Sequence, residues 1–292
     1  MISQTSPVPN RESSAPVQDL VRMAAEVRLQ IVKSMGPGKP HHFGGSLSET
    51  DVMVALYHYK LRLRPEDPAW PERDRFILSK GHSVPAQYVC LARLGFFPLE
   101  DLATLKTLGS PLQGHPDMRK TRGLEANTGS LGMGLSASNG LALAARARGL
   151  DYRVYVLLGD GECEEGQVWE AAMTAGQYRL DHVTAIVDRN GLQAMGRTED
   201  RMRVEPLADK WRAFGWNVLE IDGHDMAGIC DALDTATNTA GQPTMILART
   251  IKGRGVPFLE GEVSSHNASI TPEQYDEAVR FLEANIASLE NS

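Results

Sequence analysis

The sequence predicts an α/β fold: a doubly wound, mostly parallel sheet with helices on both faces. Three observations carry this. Short apolar runs at 76–78, 154–158, 183–187, 216–221 and 244–248 alternate with segments of helical period, the pattern of strands joined by crossover helices. Each run ends in a turn rich in Gly, Asp, Asn or Lys: SKGH at 79–82, GDG at 159–161, DRNG at 188–191, DGHD at 222–225 and RTIKG at 249–253. The chain has 292 residues, enough for one large α/β domain or two small ones.

Residues 1–16, MISQTSPVPNRESSAP, are polar and lack an apolar signal core; they are expected to form a disordered leader before a domain spanning 17–292. Val17, Leu20, Val21, Ala24, Val27, Ile31 and Met35 repeat at helical spacing, and Gly36-Pro37-Gly38-Lys39-Pro40 ends that helix. Ser48 with Asp51 resembles a capping box, predicting a helix to about residue 63. A Pro-rich charged loop covers 64–75. After the strand at 76–78, helices are expected at 85–94 and 99–105. The stretch 107–127 is long and irregular, which inside a compact domain marks function or disorder. Residues 128–134, TGSLGMG, open an Ala- and Gly-rich helix to about residue 148, suited to close packing on the sheet. A polar loop at 192–205, helices at 206–214 and 226–239, and a last helix capped by Thr271-Pro272-Glu273-Gln274 complete the chain.

The central stretch is 152–193. Two β-branched runs flank a helical segment, which forms a right-handed βαβ unit with parallel strands. Asp160 and Asn190 then stand at the carboxyl ends of two strands, where open α/β sheets bind ligands. A carboxylate, an amide oxygen and nearby carbonyls are hard donors suited to Mg²⁺ or Ca²⁺, with phosphates and water completing the shell. Gly161 would let the backbone approach an anion.

Composition narrows the function classes. Hydrophobic content of 42% and charged content of 23% are those of a globular protein. The formal charge is −7 with no basic stripe, which argues against nucleic acid as a partner. No apolar run approaches the roughly 20 residues that span a bilayer. Cys90, Cys163 and Cys230 are odd in number and widely spaced, as in a reduced, cytoplasmic protein. Cys163 adjoins the GDG turn and is expected to be partly accessible, but the neighbouring Glu162, Glu164 and Glu165 would raise its pKa and deny it a nucleophilic role. Five of the eight histidines, His42, His82, His115, His224 and His266, stand at Gly-rich or strand-end positions. Loops carrying them could converge on one sheet edge, where imidazoles bind phosphates and hydroxyls and move protons.

GDG, then 28 residues, then Asn190 resembles the thiamine diphosphate signature. The whole motif order is similar to the N-terminal, diphosphate-binding domain of transketolase: HFGGSLS at 42–48, LSKGH at 78–82, QGHP at 113–116, NTGSLGMG at 127–134, GDG with Asn190, IDGHD at 221–225 and SSH at 264–266. The resemblance implies that Asp160, Asn190 and the Leu192 carbonyl hold Mg²⁺ or Ca²⁺. It implies that Gly161 offers its N–H to the diphosphate, that His82 and His266 approach the same group, and that Gly129, Ser130 and Leu131 line the thiamine. His42 and His115 would face the sugar as catalytic groups, and Glu165 would lie at a subunit interface near the cofactor. The implied reaction moves a two-carbon ketol unit from a ketose or ketose phosphate to an aldose.

In transketolases the acid that protonates the pyrimidine ring lies in the following domain, and this sequence stops at Ser292. The expectation is an N-terminal subunit of a split transketolase, inactive alone and completed by a C-terminal subunit in an α₂β₂ assembly. Departures from the pattern, namely His41-His42, Gly36–Pro40, Lys80, Ser130 and Asn267, fall on substrate-facing loops. They leave room for pentose phosphates, for branched, sulfonated or modified ketoses, and for a carrier-bound acceptor. The rival readings are an α-type subunit of a 2-oxo acid dehydrogenase, a deoxyxylulose phosphate synthase-like chain, and a non-catalytic assembly partner.

Overall fold

Parallel strands buried on both faces must be apolar at consecutive positions; the strands at 154–158, 183–187 and 244–248 largely follow that rule, whereas the edge strand at 217–222 is only partly buried and carries polar residues. The computed structural model describes residues 16–290, so the predicted leader lies outside the described residues apart from Pro16. The strands are β1 (Arg75–Leu78), β2 (Val154–Gly159), β3 (Val183–Arg189), β4 (Leu192–Gln193), β5 (Gly196–Arg197), β6 (Asn217–Asp222) and β7 (Thr244–Arg249). Five of them form one sheet in the order β1-β2-β3-β7-β6, with every pairing parallel. β4 and β5 make a separate antiparallel hairpin.

The helices are α1 (Val17–Met35), α2 (Phe43–Ser48), α3 (Thr50–Ala55), α4 (Val84–Arg93), α5 (Met133–Arg148), α6 (Gly166–Gln177), α7 (Thr198–Arg201), α8 (Leu207–Ala213), α9 (Met226–Asn238) and α10 (Pro272–Glu290). They cover both faces of the sheet. Phe76, Leu78, Tyr155, Leu157, Ile186 and Ile246 point into one core with α1, α3, α4 and α9. Ile77, Val154, Val156, Leu158, Val187 and Leu247 point into the other with α5, α6 and α8. Alternate residues of each strand therefore enter opposite cores, and each large side chain contributes about 1.5–3 kcal/mol on burial. Thr271 and Gln274 exchange the reciprocal bonds of a capping box at the start of α10. No helix among the described residues is long and apolar enough to cross a membrane.

The predicted helix from Ser48 is corrected. Its α-helical part ends at Ala55, and a single π-helical turn (Leu56–Lys60) follows. Ser48 caps nothing: its hydroxyl donates to Asp188 on β3, with the Gly45 carbonyl 3.1 Å away. Asp51 faces Arg28 and His224 rather than a backbone N–H. The residue spacing matched a capping box, but buried charges on neighbouring elements took both side chains. The loop expected at 192–205 contains the β4–β5 hairpin and α7.

The small residues of α5 allow the close packing expected of them. A Cβ on Gly134 would lie 2.9 Å from the Ser79 Cα, so α5 starts directly against the end of β1. A Cβ on Gly176 in α6 would overlap the Phe214 carbonyl oxygen. Alanine normally stabilises a helix interior over glycine by about 1 kcal/mol. Here Gly176→Ala is expected to destabilise by about 1–3 kcal/mol through that overlap. Urea unfolding measures this, and a raised midpoint would show that the α6–Phe214 contact yields without cost.

Candidate active site

Three strand ends build the floor of a cleft of about 390 Å³. Register places Gly159 beside Asp188 and Asp188 beside Ala248, so the turns after β2, β3 and β7 open on one edge. In the GDG turn the Asp160 carboxylate is 3% exposed. It accepts the Gly161 N–H at 2.8 Å and the Gly191 N–H. The Asn190 amide oxygen accepts the Leu192 N–H at 3.1 Å, across a turn that Gly191 makes at φ 75°. The Leu192 carbonyl accepts from Lys252 Nζ at 2.9 Å. Burial, reinforced by the charge of Asp188, pushes Asp160 up to about 6.

The predicted residues His42, His82, His115, Gly129, Leu131, Asp160, Gly161, Glu165, Asn190, Leu192 and His266 all line this cleft. Ser130 does not; it is exposed on the neighbouring turn. The Gly161 N–H, expected to face an anion, is donated to Asp160. The need for glycine there is also different: a Cβ would meet Gln193 Cβ at 2.9 Å. Gly129, at φ 140°, brings bare backbone against His115, whose Cδ2 would lie 2.9 Å from a Cβ.

Four of the five singled-out histidines converge. Ring centroids are 5.0 Å apart for His42–His82 and His82–His266, 5.5 Å for His42–His266 and 6.4 Å for His42–His115. Burial is the first cause that keeps them neutral. His42 and His266 fall to about 4, His115 is lowered, and His82, also beside Lys80, falls to about 2. Each ring thus offers one N–H and one lone pair at neutral pH. His224 stays outside the cleft. Its Nδ1 lies 2.7 Å from Asp51, and its Nε2 accepts the Ile251 N–H at 2.9 Å, which fixes the loop that carries Lys252. Cys163, expected to be partly accessible, is 1% exposed under the GDG turn. Burial and then Glu162 and Asp160 push its thiol up, so it is inert as argued.

Several partnerships under the cleft escaped the sequence reading. Lys80 is buried and lies 2.6 Å from Asp188 and 2.7 Å from Glu49. Ser48 and Thr250 donate to Asp188, and Ser83 donates to Glu49 at 2.9 Å. Glu162 accepts from the Ser79 hydroxyl, from Gly132 N–H at 2.8 Å and from Gly159 N–H at 3.1 Å. It thereby ties β1, β2 and the turn before α5 together. Lys252 bridges the Leu192 carbonyl and His266 Nδ1, 2.9 and 3.1 Å away, and burial pushes it down to about 8. A readable signal existed for Asp188, a charge closing an apolar strand; charged residues are rarely buried without partners.

Among the described residues no three His, Cys, Asp or Glu side chains form a metal cluster. A cation here would use the mixed donors Asp160, Asn190 and the Leu192 carbonyl. The set is chemically suited to a hard cation. It offers oxygen donors only, and a carboxylate raised to about 6 gains from a positive charge. Neutral imidazoles, Lys252 and glycine backbone around the same floor suit a phosphorylated ligand.

The fold and cleft define a thiamine diphosphate-binding domain, and residues 19–285 match the family described as "Transketolase, thiamine diphosphate binding domain". The chain belongs to the transketolase family of transferases, as its N-terminal component. It is 48% identical over 265 residues to the 6-deoxy-6-sulfo-D-fructose transketolase subunit SqwG of Clostridium sp. (strain MSTE9), covering 91% of this chain and 96% of that protein. It is 43% identical over 274 residues to one subunit of the apulose-4-phosphate transketolase of Phocaeicola vulgatus, covering 94% and 97%. The solved transketolase from Leishmania mexicana superposes with a TM-score of 0.81 at 28% identity, over 96% of this chain and 46% of that one. The chain thus spans nearly all of relatives named as subunits and about half of that solved transketolase.

Lys80→Met would leave Glu49 and Asp188 facing each other without a counter-charge, an expected loss of about 3–5 kcal/mol in urea unfolding. Glu49 also gives a pH signature. Burial raises it from 4.5 to about 7 against the pull of Lys80, so the folded state holds an extra proton between those values. Its contribution is present at the acid end of that window and is lost as pH rises through 7. Glu49→Gln removes the titration, so its advantage over the wild type should grow from about pH 5 to about pH 8. A constant difference would refute the assignment.

Proposed function

We propose that this chain is the N-terminal subunit of a split transketolase that works with a separately encoded C-terminal subunit, in an α₂β₂ assembly in the cytoplasm. The clustering of four neutral imidazoles over the Asp160–Asn190 floor carries this reading. Near-complete coverage of relatives named as transketolase subunits supports it, and three buried free cysteines fit a reducing compartment. In this reading Asp160, Asn190 and the Leu192 carbonyl hold Mg²⁺ or Ca²⁺. Lys252, His82 and His266 receive the diphosphate, with the Gly161 backbone beside it. Gly129 and Leu131 present the wall for the thiamine ring, and Ser130 marks its outer rim. Bound thiamine diphosphate supplies the nucleophilic carbon for ketol transfer.

The chain's own residues orient the sugar. His42, in ring contact with the other three histidines, and His115, the exposed member of the cluster, are uncharged, able to accept a hydroxyl proton and to donate to a hydroxyl or carbonyl oxygen. Glu165 is exposed at the rim, and we assign it to the subunit interface. The acid that acts on the pyrimidine is assigned to the partner protein. The substrates are a ketose or ketose phosphate donor and an aldose acceptor. Relatives named for a sulfonated ketose and for apulose 4-phosphate place unusual anionic ketoses among the donors to assay.

Co-expression with a separately encoded C-terminal transketolase subunit should yield ketol transfer that this chain alone does not show. Full activity from the isolated chain would falsify the split assignment. Asp160→Ala in the complex should abolish metal-dependent thiamine diphosphate binding, followed by fluorescence quenching. Retained metal-dependent binding would remove Asp160 from the metal site.

A further inference from the structure

The amino edge of the sheet, opposite the cleft, holds a pocket of about 250 Å³. Asp74 directly precedes β1, Arg153 directly precedes β2, and both line it. With β2 six residues long, the pocket and the GDG turn lie roughly 20 Å apart. One wall is the π-helical turn Leu56–Lys60. Such turns are rare and gather at functional sites. Consecutive residues on a regular helix diverge, yet here two of them reach one carboxylate. The Tyr59 hydroxyl and Lys60 Nζ each donate to Asp234 on α9 at 2.6 Å.

Three cations and two carboxylates line the pocket, Lys60, Arg62 and Arg153 against Asp74 and Asp234. Lys60 is paired with Asp234. Arg62 reaches Asp74 at 2.9 Å through Nη2, which also donates to the Asp151 carbonyl at 2.7 Å. Asp74 is 3% exposed and accepts the Arg62 and Arg153 backbone N–H groups as well, each at 2.9 Å. Both carboxylates are thus neutralised and hold no free charge for a cation. Arg153 is different. Among the described residues no carboxylate lies within ion-pair distance of its guanidinium, whose one bond, to the Asp181 carbonyl, is long at 3.4 Å. This leaves one uncompensated positive charge on a half-buried side chain in a concave pocket. Asn238, at the end of α9, also lines the pocket, and its side-chain amide has no bond among the described residues.

We propose that this pocket is a second ligand site, taking a small hydroxylated anion, a phosphate ester or a hydroxy acid, whose acidic group lies against Arg153. The guanidinium offers a planar fork of donors that matches phosphate or carboxylate oxygens. The Asn238 amide, the Tyr59 oxygen and the Asp234 carboxylate, 47% exposed, are placed to meet hydroxyls. Pockets for drug-sized ligands enclose about 300–1,000 Å³, so a cavity of about 250 Å³ restricts its occupant to a small metabolite. The site stands apart from the proposed ketol transfer and does not depend on it.

Calorimetric titration of the full-length chain with glycerol 3-phosphate, glycerate and neutral glycerol tests this. At least one of the two anions should bind saturably, and glycerol should not. Arg153→Met should weaken that binding about tenfold or more, the loss of one charge-assisted contact. Lys252→Met separates the two ends of the sheet: binding at the amino edge should survive it, whereas binding in the cleft should not. The Arg153 backbone N–H, not its side chain, holds Asp74, so the urea midpoint of Arg153→Met should match the wild type. Should that midpoint fall, Asn238→Leu is the variant that decides, with a severalfold weakening expected. Tighter binding of one anion assigns the site to that acid. Binding unchanged in the deciding variant, binding lost in Lys252→Met instead, equal binding of glycerol, or no saturable binding of either anion overturns the proposal.

Discussion

A lysine removed from water sits beneath the cleft, and the arrangement above depends on it. Burying an ammonium costs several kcal/mol even after relaxation, and its carboxylate partners face the same cost. The structure meets this with near-ideal contacts. Lys80, at the end of β1, meets Asp188 from β3 and Glu49 from the junction of α2 and α3. Hydroxyls from Ser48, Ser83 and Thr250 complete the carboxylates. Three elements distant in sequence cannot shift independently without exposing a charge. The strand ends that carry Asp160, Asn190 and Lys252 are thereby held in one relative position.

A second constraint lies directly above. Glu162 is buried and receives three donors, two of them backbone N–H groups of the turns at 159 and 132. It draws the GDG turn and the GSLGMG turn together, and the close Gly134–Ser79 contact lets them approach. Buried charges under the floor thus set the spacing of the glycine-rich loops. The histidines contribute in the opposite way. Crowded and desolvated, they stay neutral, so the histidine wall presents polarity without adding charge to the floor below. A neutral imidazole can both donate and accept a hydrogen bond, which a protonated one cannot.

Much of this could be read from the sequence, because the signals were local or ordered along the chain. Apolar runs gave the strands, and the turn chemistry at their ends gave Asp160 and Asn190. The parallel register then brought these two together without any side-chain detail. His82 was legible by the same topological argument, since it follows a strand end; His42, His115 and His266 were legible only as Gly-rich loop residues that could converge on that edge. His224 shows the limit. It also stands in a Gly-Asp turn, yet Asp51 captures it from behind. Asp51 itself read as a capping residue because spacing alone does not reveal Arg28 arriving from α1. The Lys80 network was invisible for a related reason: its members come from separate stretches of the chain, and only burial makes them partners.

These limits bear on how the site divides its work. Everything this chain contributes concentrates at one end: oxygen donors and Lys252 on the floor, neutral imidazoles on the wall. Among the described residues no comparable buried acid faces the far side of the cleft. Glu164 and Glu165 lie toward solvent at its rim, and Glu162 is consumed by backbone donors. A carboxyl group able to act on a ring nitrogen must be desolvated to hold its proton near neutral pH. An open cleft in a single chain cannot desolvate such a group on its exposed side. A second protein surface can do so by closing over it, and in the same contact it would cover Glu165 at the rim.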